Sequence, residues 1–222
     1  MPATIPILHQ DEHLIVVSKP AGILSVPGGA GEGLALPQLL AQQGFAAIAV
    51  HRLDRDVSGA MLFALDEDTR ARLETQFRDH AVRKIYWALA QGNVVPPRGN
   101  LHFPLLEEGG FARVSALGRK SLTRYATLES LRDATVLEVE LVTGRYNQIR
   151  VHFAHAGFPL VGERKYALGK EAKVPIKSRR VALHAWRIEL AHPLTGEALA
   201  LEAPLPPDLQ EVLARARAAK KA

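Results

Sequence analysis

The chain of 222 residues contains no cysteine. This absence excludes disulfide bonds, thiol catalysis and cysteine-ligated zinc or iron–sulfur sites, and it is typical of a reducing compartment such as the cytoplasm. The sequence has no uncharged apolar run of about 18 residues, so it predicts no membrane-spanning helix. The amino terminus lacks a basic start followed by an apolar run, so no secretory signal is expected. We therefore expect a cytoplasmic protein that does not associate with membranes.

Basic residues outnumber acidic residues by a small margin. Lys and Arg total 28 and Asp and Glu total 23, so the formal net charge is 28 − 23 = +5 and the isoelectric point is about 9.6. Such an excess allows a polyanionic partner without requiring one. Hydrophobic residues make up 47% of the chain, which is enough for a substantial core and excludes global disorder. The length fits one large domain better than two small ones.

Short apolar and alternating runs predict more strands than helices. The predicted strands are 14–18, 60–65, 84–90, 135–142 and 181–190. The predicted helices are 34–43, 67–79 with Asp66 as N-cap, 147–156, and a basic terminal helix after a capping-box-like pair, Asp208 and Glu211. Because the strands do not alternate regularly with helices, we expect an α+β fold around a mostly antiparallel sheet, not a doubly wound parallel sheet.

The densest group of ionisable residues is the segment 51–56, HRLDRD, which precedes a predicted strand. In one interpretation it is a solvated loop with local ion pairs. In the other interpretation it is a catalytic site, because Arg52 and Arg55 would keep Asp54 ionised, as a carboxylate nucleophile requires. An arginine beside it could also contact phosphate or enter a base stack.

A second polar group, 143–152 (TGRYNQIRVH), lies where an alternating strand turns into a helix. A glycine at the turn and cations near a helix start are typical of an anion site. Arg150 would lie one turn into the helix, where its guanidinium could hold a carboxylate through two hydrogen bonds. The alternative is a surface arginine whose charged end lies in water.

Two adjacent aromatic residues, Tyr86 and Trp87, follow the basic pair Arg83-Lys84 on a predicted strand. Their side chains point to opposite faces, so one could pack in the core while the other lines a cleft. Core packing is the alternative for each of them.

Patterns for metals and nucleotide cofactors are weak. The glycine-rich segment 28–33 does not satisfy G-x-G-x-x-G and has no GK[ST] ending. His152 and His155 have helical spacing but no third ligand close in sequence. We therefore predict neither a metal site nor a bound cofactor.

Six motifs together resemble an RluA-type pseudouridine synthase. In chain order they are DEHLIVVSKPAGILSVPG, HRLDRDVSG, RKIYWAL, TGRYNQIRVHFAHAGFPLVGERKY, LHAWRIELAHPLTGE and EAPLPPDL. They span nearly the whole chain, and HRLDRDVSG is the most specific. One departure is Tyr146-Asn147, where the family usually has Thr or Ser followed by His.

The resemblance implies a single pseudouridine synthase catalytic domain at 1–208, followed by a basic C-terminal helix or tail at 209–222. It implies a long bent, mostly antiparallel sheet with flanking helices and a central cleft, and a compact member without an N-terminal S4 RNA-binding domain. The implied reaction cuts the N1–C1′ bond of a uridine in RNA, rotates the base and makes a C5–C1′ bond. As an isomerisation, it needs no cofactor, metal or energy source.

The resemblance also implies site residues and partners. Asp54 is the expected nucleophile, Tyr86 would stack on the flipped uracil, and Arg150 would pair with Asp54. The expected RNA-binding residues are Arg52, Arg55 and Arg145, with Lys165 and the RARAAKK tail as weaker candidates. The expected partner is a stem-loop of tRNA or rRNA, bound by a monomer that needs no obligate protein partner. Two alternatives are a non-catalytic RNA-binding protein of the same fold and a hydrolase using Asp54 with His51.

Overall fold

The structure, a computed structural model, describes residues 4–28, 33–167 and 176–219. The strands are β1 Ile7–Gln10, β2 Leu14–Lys19, β3 Ile48–Ala49, β4 Ser58–Ala64, β5 Arg83–Gln91, β6 Arg98–Leu101, β7 Leu105–Glu108, β8 Phe111–Val114, β9 Thr123–Ser130, β10 Ala134–Leu141, β11 Leu183–Ala191 and β12 Ala198–Glu202. The helices are α1 Leu36–Gln42, α2 Glu67–Arg78, α3 Gln148–His155 and α4 Pro207–Ala218. The chain divides into two compact units, one within 1–84 and 185–205 and the other within 85–184 and 206–222.

In the first unit the strand order is β1–β2–β4–β11, with β3 on β4 and β12 on β11. Every residue of β4 is buried, and Leu62 belongs to an apolar core with Leu14, Leu73 of α2 and Ile188. Gly59 allows close packing of β11, because a Cβ there would lie 2.1 Å from the carbonyl oxygen of Ala185. These contacts hold the start of β4, which directly follows the HRLDRD segment.

In the second unit the strand order is β5–β10–β9–β6, and β7 and β8 form a separate hairpin. Helix α3 packs against this hairpin through a core cluster of Val151 and Ala154 with Leu105, Ala112 and Tyr166. The hairpin therefore lies beside the helix that carries Arg150.

The predicted α+β class is confirmed, since each pair of named strands with a defined register is antiparallel. The five predicted strands and four predicted helices are present with ends shifted by a few residues. Asp66 caps α2 as predicted, its Oδ1 accepting the amide of Thr69 at 2.7 Å. In the part of the chain that the structure describes, no helix is long and apolar enough to span a membrane.

The predicted capping box of the terminal helix is wrong. The N-cap of α4 is Pro206, and no side chain caps the helix. Asp208 lies in the first turn and pairs with Arg180, with Nε–Oδ2 and Nη2–Oδ1 distances of 2.6 and 3.1 Å. The helix is not a loose tail, because Leu209, Val212 and Ala216 are buried.

Candidate active site

Asp54 lies in the loop between β3 and β4, and its side chain is partly buried. Its apolar neighbours Leu53 and Val57 are only 6% and 2% exposed. The amide of Val57 donates to the carbonyl of Asp54 at 3.1 Å, closing a tight turn. The two apolar side chains therefore anchor the loop on both sides of the carboxylate.

Ser25 attaches this loop to the segment that follows β2. Its hydroxyl donates to the carbonyl of Leu53 at 2.6 Å and accepts the amide of the same residue at 3.0 Å. Both backbone groups of the residue before Asp54 are thus satisfied by one buried side chain, which restricts the backbone at the start of the turn.

Lys19, at the end of β2, fixes the other side of the turn. Its side chain is fully buried, and its Nζ donates to the carbonyls of Pro20, Arg55 and Val57 at 3.0, 3.1 and 2.8 Å. Three carbonyl dipoles compensate the desolvation of the ammonium group. The amide of Gly22 also donates to the Arg55 carbonyl at 2.8 Å. The SKPAGILS motif therefore fixes the loop that carries Asp54.

His51 has a structural role in the same loop. Its Nε2 accepts the backbone amide of Leu62 at 2.9 Å, and its ring stacks on Phe77 at a centroid distance of 4.9 Å. Burial, with a smaller contribution from the Lys84 charge, lowers the pKa of His51 to about 3. A neutral ring held as an acceptor is a poor general base, which argues against the hydrolase alternative.

Two candidate RNA-binding residues, Arg52 and Arg55, are exposed on either side of Asp54. The Nε of Arg55 donates to the carbonyl of Gly22 at 3.0 Å, so one edge of its guanidinium is held while the side chain stays at the surface. Their positions fit contacts to a polyanion beside Asp54.

The aromatic pair lies on β5 in the second unit, where Tyr86 and Trp87 are each 7% exposed. Tyr86 lies opposite Val139 of β10, and Trp87 lies opposite Glu138. Both side chains are therefore largely buried.

Arg150 lies in the first turn of α3 and forms a two-point ion pair with Glu163. The Nε donates to Oε2 at 2.7 Å and the Nη2 donates to Oε1 at 2.9 Å. The Arg150 side chain is 12% exposed and the Glu163 side chain is fully buried. The predicted ability of Arg150 to hold a carboxylate through two hydrogen bonds is thus realised, here with Glu163.

Arg145 lies before α3 at a groove of about 600 Å³ beside the β7–β8 hairpin, whose lining includes Gly110, Arg119 and Tyr146. Its Nε donates to the carbonyl of Lys120 at 3.4 Å. Lys165 donates to the carbonyl of Gly110 at 2.6 Å. The groove therefore places two arginines, Arg119 and Arg145, and the ring of Tyr146 at one surface of the second unit, with Lys165 beside it.

The other basic candidates have partners within the chain. In the tail, Arg217 pairs with Glu129 at 2.7 Å and Arg215 lies 3.9 Å from Glu211. The last two lysines of the RARAAKK motif lie outside the described residues. Internal pairing reduces the charge that the tail presents to RNA.

The predicted catalytic residues are divided between the units: Asp54 in the first, Tyr86 and Arg150 in the second. The pairing of Asp54 with Arg150 stays a prediction. The anchoring roles of Lys19, Ser25 and Glu163 were not predicted from the sequence; the one local signal is the Lys-Pro pair, residues 19–20, that directly follows the apolar strand predicted at 14–18. Within the described ranges, no three His, Asp or Glu side chains are grouped to hold a metal ion.

Comparisons with known proteins agree on one family. The family model described as RNA pseudouridylate synthase matches residues 13–155. The chain is 35% identical over 223 residues to ribosomal large subunit pseudouridine synthase C of Vibrio cholerae, covering 96% of this chain and 70% of that protein. It is 33% identical to the dual-specificity RNA pseudouridine synthase RluA of Haemophilus influenzae, covering 90% and 92%.

A solved structure gives the same result. Human RNA pseudouridylate synthase domain containing 4 superposes with a TM-score of 0.80 and 26% identity, covering 96% of this chain and 93% of that chain. The sequence match includes the whole Asp54 loop and the first turn of α3. The chain therefore belongs to the RNA pseudouridylate synthase family.

Proposed function

We propose that this enzyme isomerises a uridine in a tRNA or rRNA stem-loop to pseudouridine, with Asp54 as the nucleophile. The observation that carries the proposal is the Asp54 loop: a carboxylate between two exposed arginines, on a backbone fixed by Lys19 and Ser25. A nucleophile that attacks a single carbon atom, C1′ of the ribose, reacts faster when a rigid backbone holds it in position.

The remaining residues receive roles in the same reaction. The uracil must leave the base stack before its glycosidic bond can be reached. Arg52 would fill or stabilise the vacated position, and Tyr86 would stack on the flipped base. Arg150 would pair with Asp54 and keep it ionised. Arg55 and Arg145 would contact phosphates.

We also propose a substrate class, a compartment and an oligomeric state for the enzyme. One relative is a pseudouridine synthase of the ribosomal large subunit, and another is a dual-specificity RNA pseudouridine synthase. These relatives support tRNA or rRNA as the substrate class. We expect the protein to act in the cytoplasm as a monomer, as one catalytic domain without an obligate protein partner.

The direct test is tritium release from RNA that carries 5-tritiated uridine, because C5 loses its hydrogen when the new C–C bond forms. Asp54→Asn should abolish release while RNA binding stays within about tenfold of wild type, since the amide keeps the shape and loses the charge. Asp56→Asn, the same change two residues away at an exposed position, is the matched control and should stay active.

The same assay decides the alternative of a non-catalytic RNA-binding protein. That alternative predicts RNA binding without tritium release from wild-type protein. Release by Asp54→Asn at more than a few per cent of the wild-type rate would remove Asp54 from its assigned role.

A further inference from the structure

A fully buried carboxylate, Glu163, holds the guanidinium of Arg150. The two hydrogen bonds, 2.7 Å from Nε and 2.9 Å from Nη2, are parallel and charge-assisted. Such a pair fixes the plane of the guanidinium as well as its position. Of the five N–H donors of an arginine, this arrangement uses one on Nε and one on Nη2.

Backbone groups also hold the Glu163 carboxylate, independently of Arg150. Its Oε1 accepts the backbone amides of Lys165 and Tyr166 at 2.8 and 3.2 Å. The amide of Glu163 closes a turn on the carbonyl of Leu160 at 3.0 Å. Gly162 in this turn has a φ of +79°, and a Cβ there would lie 2.0 Å from a backbone oxygen, so the turn requires glycine.

Two further residues, Tyr166 and Asn147, contact the guanidinium of Arg150. The ring of Tyr166 lies 5.4 Å from the Cζ of Arg150, within reach of a cation–π contact. Asn147, in a left-handed conformation, accepts Nη1 of Arg150 at 3.4 Å and donates to the Tyr166 hydroxyl at 2.7 Å. The side chains of Arg150, Asn147 and Tyr166 thus contact one another, and Glu163 joins them through the Arg150 guanidinium and the backbone amide of Tyr166.

We propose that Glu163 is a positioning residue that fixes the guanidinium of Arg150 in the orientation used for the isomerisation. This inference rests on the proposed function. An arginine whose plane is set in advance loses little conformational freedom when the reacting groups assemble. Any cation would neutralise a buried carboxylate that served only to stabilise the turn, whereas the two-point geometry seen here also fixes the plane of the guanidinium.

The substitution Glu163→Gln separates these two roles. A glutamine carbonyl in the place of Oε1 can still accept the amides of Lys165 and Tyr166 and Nη2 of Arg150, but an NH₂ group in the place of Oε2 cannot accept from Nε, so the two-point pairing is lost. In single-turnover tritium release with saturating enzyme, we expect the rate to fall about ten- to hundredfold, the scale of a small misplacement of a reacting group. The RNA dissociation constant should change by less than about threefold, because substrate binding uses other contacts.

A matched control uses the same substitution at another two-point ion pair in the second unit. Glu129 accepts Nε and Nη2 of Arg217 at 3.0 and 2.7 Å. Glu129→Gln should leave the single-turnover rate unchanged. A similar loss of rate in this control would mean that breaking any such pair in the unit slows the enzyme, which would overturn a specific role for Glu163.

A double-mutant cycle tests whether Glu163 acts through Arg150. Adding Glu163→Gln to Arg150→Met should cause no further loss of rate, because the group that Glu163 positions is already absent. Independent, multiplicative losses would overturn the proposal. Glu163→Asp provides the conservative variant, and it should recover part of the rate that Glu163→Gln loses.

Thermal unfolding of each variant completes the test. If Glu163→Gln does not fold, the cycle is run with Glu163→Asp; if neither folds, the ion pair is structural and the positioning role is rejected. The proposed function and this inference fail in different ways. Wild-type protein without tritium release would overturn the function, whereas active wild-type protein with fully active Glu163→Gln would overturn only the positioning role.

Discussion

The hydroxyl of Ser25 satisfies both backbone groups of Leu53, the residue before Asp54, donating to its carbonyl at 2.6 Å and accepting its amide at 3.0 Å. Together with the three bonds from Lys19, this contact makes the segment after β2 the support of the Asp54 loop. The position of the proposed nucleophile is therefore set by residues that come about 30 positions earlier in the chain.

The first prediction concerns Ser25→Ala. Removing the hydroxyl leaves a buried amide and carbonyl without this partner, so the free energy of unfolding should fall by about 1–3 kcal/mol. The rate of tritium release should fall as well, because the turn that presents Asp54 loosens. Urea unfolding and single-turnover kinetics measure the two effects. The control is Thr75→Ala, which removes an exposed hydroxyl on α2; equal effects of both variants would contradict the prediction.

The second prediction concerns Lys19→Met. The substitution keeps an unbranched buried side chain but removes the donor to three carbonyls, so the free energy of unfolding should fall by about 2–4 kcal/mol. Arg72→Met, which breaks an exposed ion pair on α2, should change it by less than about 1 kcal/mol. Urea unfolding compares the two variants, and a Lys19→Met protein as stable as wild type would show that the carbonyls find other donors.

The third prediction is a loss of stability in acid that depends on His51. Its folded-state pKa of about 3 lies below the ordinary value of 6.5, so the unfolded chain takes up a proton first as the pH falls below 6.5. The stabilisation is therefore complete above pH 6.5 and is lost between pH 6.5 and about 3. The slope due to this residue is at most about 1.4 kcal/mol per pH unit.

Urea unfolding across this pH range measures that slope. His51→Phe should flatten it, whatever its effect on stability at neutral pH, because the titrating group is gone. Buried His152, whose pKa burial lowers to about 4, adds a similar contribution that remains in His51→Phe. A wild-type slope in His51→Phe would contradict the prediction.

Much of the fold could be predicted because its central elements have strong local patterns. The apolar β4 and the capped helix α2 carry their signals within a few residues. Strand β6, of four residues of which only the last is buried, carries no such period, and only its pairing with β9, more than 20 positions later in the chain, defines it.

The candidate site could be predicted only in part, because local motifs can be read from the sequence and long-range contacts cannot. The motif containing Asp54 is local, whereas its support comes from residues 28 and 38 positions away, and the partner of Arg150 lies 13 positions beyond it. Glu163 is one carboxylate among 23 acidic residues, and nothing in its neighbourhood distinguishes it. Only the tertiary structure brings its oxygens to the guanidinium.

The last prediction concerns the RNA that the enzyme accepts. The target base must be unstacked before it reacts, and in a perfect duplex it must also be unpaired, which costs a few kcal/mol. A uridine in the loop of a stem-loop avoids the unpairing cost, so it should react about ten- to a thousandfold faster than the same sequence in a duplex. Phosphate contacts should make binding of both RNAs weaken with salt, with a slope of about −0.7 per phosphate neutralised on single strands.

Single-turnover tritium release on matched stem-loop and duplex RNAs, at one salt concentration, measures this difference. Dissociation constants for both RNAs, taken over a series of salt concentrations, separate binding from chemistry. Because exposed Arg52 and Arg55 flank Asp54, Arg55→Gln should reduce the salt slope by about one phosphate while the preference for the stem-loop persists. Equal rates on both RNAs would reject the stem-loop as the preferred substrate and would leave the role of Asp54 intact.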